Sequence, residues 1–289
     1  MEERFPITPI DPCEAFAQLG ELPQPPRALY LRGTIDGLAG KKLIAVVGSR
    51  SCTSYGKAVC RSLIAGLRGY PIAIISGLAL GIDSTAHEAA LDVGLPTVAI
   101  PGSGLAWRAL YPAQHRGLAE RILENGGALL SEYEPDTKAA PWTFPRRNRL
   151  MAGIADMTIV IEAQEKSGTL ITARLATEYN KIVGAVPGPV TAPTSRGSNW
   201  LLKLGAVPIT DPFDILQELG IEASSTPVNQ AVLGEDEQRV FDALIEPKSK
   251  DALCQELSLS PASLSILISS MEIKQVVRET FGILERVAP

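Results

Sequence analysis

The residues with the most chemical potential lie between Phe144 and Ala173, FPRRNRLMAGIADMTIVIEAQEKSGTLITA. Arg146, Arg147 and Arg149 follow Phe144 at spacings that no single helix face can hide together. Cations for phosphates beside a ring for base stacking are the ingredients of a single-stranded nucleic-acid site, and Trp142 offers a second ring nearby. Two plainer roles compete: the arginines can pair with Glu132, Glu134 or Asp136 just upstream, and Phe144, next to a proline, can fill the core. Further on, Lys166, Ser167 and Gly168 bring an ammonium, a hydroxyl and a residue without a Cβ to the start of a helix. That combination makes a phosphate cup, with a solvated surface lysine as the plainer role for Lys166.

A third segment, Gly48, Ser49 and Arg50, follows an apolar run. Gly48 and Ser49 read as a tight turn and a helix N-cap. Arg50 stands where a helix dipole is already positive, which is unhelpful unless an anion binds there. The sequence contains neither G-x-G-x-x-G nor G-x-x-x-x-G-K-[ST], so dinucleotide and ATP chemistry are unsupported. Asp83, Glu132 and Glu162 fall near strand ends without a histidine partner or a metal-ligand spacing. They read as a helix-start charge (Asp83) and an arginine partner (Glu132), and no catalytic residue is assigned. His87 and His115 are the only histidines, and Cys13, Cys52, Cys60 and Cys254 form no CxxC. Buried thiols are the expectation, with no metal site and no cofactor.

These segments need elements to position them. Apolar runs at 43–47, 72–75, 97–100, 128–133, 157–162, 182–186 and 206–210 read as strands. Helical stretches follow most of them, at 82–94, 113–125, 169–180, 199–204 and 212–219, with another after SRSCTSYG. This alternation predicts an α/β fold with a Rossmann-like, doubly wound, mostly parallel sheet. Strand ends carrying Gly, Ser or Pro then line one edge, where helix N-termini and bare N–H groups face outward, an edge suited to anions. Residues 1–40 read as an irregular proline-rich arm, 41–220 as the sheet domain, 221–232 as a linker and 233–289 as a small winged helix.

The 289 residues carry a net charge of -5. That sum hides a segregation of -3 over 1–40, +3 over 41–220 and -5 over 221–289. A nucleic-acid partner would therefore meet a local patch of the middle domain. The last helix, ASLSILISSMEIK, has no cation before Lys274, so the winged helix is expected to contact protein in preference to reading duplex DNA. No run approaches the roughly 20 apolar residues of a membrane span. The acidic, proline-rich N-terminus is unlike a secretory signal, and a cytoplasmic location is expected.

The segments AVVGSR, ISGLALGIDSTAHEAAL, PGSGL, YPAQHRGLAERI, GALLSEYEP, FPRRNRLMAGIAD, KSGTLITARLA, VPGP and SNWLLKLGA together resemble the DNA processing protein A (DprA, or Smf) family over about residues 23–220. The tail resembles the family's winged-helix domain more loosely. The resemblance implies a non-enzymatic homodimer that binds and protects single-stranded DNA and helps load a RecA-type recombinase in natural transformation and recombination. It implies that Gly48, Ser49, Arg50, Phe144, Arg146, Arg149, Lys166, Ser167 and Gly168 bind the strand. The N-terminal helical domain of many members is reduced here to a short arm. An alternative is likeness to the lysine-decarboxylase-like (LOG) nucleoside monophosphate hydrolases, whose PGGxGTxxE turn is replaced here by EKSGTLIT, with Thr172 in the glutamate's place. A nucleotide-sensing adaptor is a third reading.

Overall fold

Strand β3 shows why the chain builds a layered sheet, and the elements before it set its surroundings. In order come β1 (Ile7–Ile10), α1 (Pro12–Ala15), β2 (Leu29–Gly33) and β3 (Lys42–Val47). Along β3, Leu43, Ala45 and Val47 enter one apolar cluster, while Ile44 and Val46 enter another on the opposite face. A strand buried on both sides requires covering layers above and below it. This computed structural model describes residues 4–222, 234–244, 246–273, 276–280 and 282–286, in two compact units, Met1–Ala223 and Ser224–Pro289.

After β3 the first unit continues with α2 (Ser54–Ala65), β4 (Ile72–Ser76), α3 (Ile82–Asp92), β5 (Thr97–Ala99), α4 (Arg116–Glu124) and β6 (Ala128–Ser131). It then adds α5 (Thr143–Ile154), β7 (Met157–Val160), α6 (Thr169–Glu178), β8 (Ile182–Ala185), α7 (Arg196–Lys203), β9 (Val207–Pro208) and α8 (Pro212–Glu218). Its strands form one sheet in the order β1-β2-β6-β5-β4-β3-β7-β8-β9. β2 runs antiparallel to β1 and β6, and the other neighbours are parallel. β4 lies on one side of β3 and β7 on the other, so strand order reverses at β3, as in a doubly wound, Rossmann-like fold.

The N-terminal residues differ from the irregular arm expected. They supply two strands to the sheet, and Leu19, Leu22, Leu29 and Leu31 join the cluster that holds Leu150 and Ile154. Proline content does not exclude a strand here, because β1 is an edge strand, where Pro9 needs no N–H for a second neighbour. The helix expected at 113–125 shortens to α4 behind a 3-10 turn at Ala113–His115. Strand 206–210 narrows to β9. Among the cysteines only Cys60 is buried, and Cys13 is exposed.

The second unit contains α9 (Glu235–Ala243), β10 (Lys248–Ser249), α10 (Lys250–Leu257), α11 (Pro261–Ile273), β11 (Val277–Thr280) and β12 (Ile283–Arg286). Its strands pair antiparallel in the order β10-β12-β11, over a core that includes Val240, Leu253, Leu264, Ile268 and Leu284. α11 exposes Ser263, Ser265, Ile266, Ser269 and Glu272. The expected linker from residue 223 onward, and Lys274, lie outside the described residues. Among the described residues no helix is long and apolar enough to cross a membrane.

Candidate nucleic-acid interface

Two loops and the start of a helix meet where the strand order reverses. The loop after β3 brings Gly48, Ser49 and Arg50, the loop after β7 brings Ser167 and Gly168, and the start of α5 brings Phe144. Together they line one open cleft of about 420 Å³. A cleft of that size accommodates a nucleotide-sized ligand, and the switch point of an open α/β sheet is where such ligands sit.

Backbone and hydroxyl contacts fix the loops to one another. The Ser49 N–H donates to the Glu162 carbonyl at 2.8 Å, and the Thr169 hydroxyl donates to the Gly48 carbonyl at 3.1 Å. The Ser167 hydroxyl accepts from the Thr169 N–H at 3.2 Å, closing the start of α6. The N-cap of α2 is Thr53, not Ser49 as expected, because the chain runs on four residues before turning helical. The Glu162 carboxylate accepts from the Thr53 N–H at 2.8 Å and from its hydroxyl at 2.6 Å, so this acid holds the cap in place. Gly48 is required for close approach, since a Cβ there would collide with Ile82 of α3.

Arg50 is exposed at the rim, with its guanidinium carbon 4.9 Å from the centre of the half-buried Phe144 ring. That cation–π contact holds the arginine beside the ring without consuming its donors. Tyr111 flanks the same ring, 5.7 Å centre to centre.

The three arginines of FPRRNR take three different roles. Arg146 keeps 57% of its side chain exposed and lies 3.5 Å from Glu132. Arg147 is buried beneath the ends of β4 and β5, where it donates to the carbonyls of Gly77 (2.7 Å) and Ile100. These carbonyls stand where strand pairing stops, and a buried guanidinium with five N–H donors satisfies them. Arg149 is also buried, paired with Glu132 and donating to the Gln24 carbonyl at 2.5 Å. The pairing with Glu132 weighed for these arginines is thus present for Arg146 and Arg149. Arg146, Arg149 and Lys166 do not line the cleft, and Lys166 is exposed on the turn before α6.

The cleft's floor is polar and partly unspent. Asp83, in the first turn of α3, is buried beside Arg147, and burial raises its carboxyl above the ordinary value against the pull of that arginine. The same burial brings Arg147 down to about 10, with Asp83 opposing the fall. Asn148 accepts from the Arg147 Nε–H at 3.2 Å, which leaves its amide nitrogen without a partner among the described residues. Thr172 lines the cleft at 1% exposure and is likewise unpartnered. Little in the residue pattern marks Asn148, Gln164 or Thr172 as lining residues, because their types are common and only the loop geometry gathers them. Tyr111 could have been noticed from its position in a strand-end loop. Among the described residues no group of His, Cys, Asp and Glu could hold a metal ion.

Residues 8–220 match the family model described as DNA recombination-mediator protein A. The chain is 38% identical over 217 residues to the DNA processing protein DprA of Streptococcus pneumoniae, covering 75% of each. It is 43% identical over 194 residues to Protein Smf of Escherichia coli, covering 67% of this chain and 51% of that one. The chain thus spans about half the length of the Escherichia coli relative. Among solved structures, DNA processing protein A from Streptococcus pneumoniae superposes with a TM-score of 0.68 at 37% identity, over 75% of each chain. The Helicobacter pylori protein, solved for its single-stranded DNA binding mode, gives 0.66 at 32% identity over 76% of this chain and 98% of that one.

Proposed function

The chain belongs to the DNA recombination-mediator protein A family, and we propose that it binds single-stranded DNA in the cleft at the sheet's switch point. The observation that carries this reading is the convergence of the three segments on one cleft, with Arg50 laid over Phe144. Arg50 takes a phosphate at the rim. The loops at 48–51 and 167–169 supply N–H groups and hydroxyls near the start of α6, where the helix dipole favours an anion. Phe144 stacks a base, and the neighbouring guanidinium meets the charge next to it. Arg149 acts indirectly by anchoring α5 through Glu132, and Arg146 and Lys166 lend charge from outside the cleft.

The protein in this reading holds and protects the strand without cutting it, and hands it to a RecA-type recombinase during transformation and recombination. Its acids support a holding role, since Glu162 is engaged by Thr53, Glu132 by Arg149 and Asp83 by Arg147. Hydrolysis of nucleoside monophosphates would need a glutamate where Thr172 stands. The protein works as a cytoplasmic homodimer, and an apolar groove beside β8, β9, α6 and α7 fits the contact: Ile171, Val190, Trp200 and Leu204 are exposed there. The second unit acts as a winged helix that docks on protein, since the exposed face of α11 offers no cation to a duplex.

Gel-shift titration with single-stranded and duplex oligonucleotides tests the central proposal. Preferential shift of the single strand is expected, whereas equal binding to both or release of free base from a nucleoside monophosphate would overturn it.

A further inference from the structure

Two tyrosines flank the cleft's aromatic corner, and only one is accounted for by the fold. Tyr133 is 6% exposed and its hydroxyl donates to the Thr143 carbonyl at 3.0 Å, so its ring and its polar tip are both committed. Tyr111 is 46% exposed, and its hydroxyl has no partner among the described residues. Its backbone is nonetheless fixed. The Tyr111 N–H donates to the Ser103 hydroxyl at 3.1 Å, and the Ser103 carbonyl accepts from the Ser131 hydroxyl at 2.8 Å. The loop after β5 is thereby tied to the end of β6. An open ring on a fixed backbone, 5.7 Å from Phe144 at 60°, loses little freedom when a planar group settles on it.

Resting on the reading that a single strand lies in the cleft, we propose that Tyr111 is a second base-stacking platform, which carries the strand from Phe144 out across the end of β5. Arg50, Phe144 and Tyr111 are successive neighbours, so a phosphate held at Arg50 and a base on Phe144 leave the next base facing Tyr111. Successive aromatics beside a cationic rim give sequence-tolerant binding of this kind. The partner is an unpaired strand, because paired bases do not expose their faces.

The test compares Tyr111→Ala, Tyr111→Phe and Tyr111→Leu with the wild-type chain, using oligonucleotides of about 12 nucleotides, within the footprint range of such sites. The Ala variant should bind ~10-fold more weakly, the loss of one stacked base. The salt dependence should be unchanged, since no phosphate contact is removed. Phe should restore affinity and Leu should not; Leu keeps bulk against Phe144 and carries the test if the Ala variant fails to fold. Wild-type affinity in the Ala or Leu variant overturns the Tyr111 step alone, whereas absence of binding by the wild-type chain overturns the DNA reading and this step together.

Discussion

At the scale of single residues, the site depends on a division of labour among four arginines. Arg50 is free at the rim, so Arg50→Ala should weaken binding to single-stranded DNA and reduce the slope of log affinity against log salt by about 0.7, the loss of one phosphate contact. Parallel salt titrations check this. Arg147 does the opposite work underneath. Arg147→Met leaves Asp83 and two strand-end carbonyls buried and unpaired, and should cost roughly 3–5 kcal/mol of stability. Denaturant unfolding measures that cost, and adding Asp83→Asn should recover part of it. The types and spacing of FPRRNR announced that its cations could not share one face. Which arginine would be buried depends on how α5 packs against β3 and α6, a tertiary relation that local pattern does not encode.

At the scale of elements, the loops are held by strands and helices whose own polar contacts are buried. His87 of α3 is fully buried and hydrogen-bonded through Nδ1 to the Thr97 hydroxyl of β5 at 2.7 Å. Burial, with His115 and Arg147 adding to it, brings its pKa from 6.5 to about 3. The unfolded chain takes up this proton near 6.5 and the folded chain only near 3, so stability should fall as pH drops through that window. The loss approaches about 1.4 kcal/mol per pH unit for this one proton. Thermal melts from pH 7 to pH 4 should show a shallower decline in His87→Leu than in the wild type. The parallel strands and α2, α3 and α6 were legible, because runs such as Leu43–Val47 and the residues after them follow the expected periods. α5 was hidden because its buried face carries Arg147, Asn148 and Arg149 where apolar residues would mark a helix. β1 was hidden by Pro9, which an edge strand tolerates.

At the scale of the whole molecule, positive and negative charge are separated along the chain. The positive excess lies in 41–220, whereas the acidic second unit has no cation on the exposed face of α11. The apolar groove around Trp200 and Leu204 predicts that Leu204→Asp converts a dimer to a monomer in sedimentation experiments, while monomeric wild-type protein would remove the groove's assigned role. In the proposed function Arg50 and the strand-end loops clamp phosphates, and fluorescence anisotropy of a labelled single strand between about 50 and 200 mM salt measures that clamp. The predicted result is binding that falls steeply with salt and is weakened by Arg50→Ala. Binding indifferent to salt, or no binding at all, would rule the phosphate clamp out.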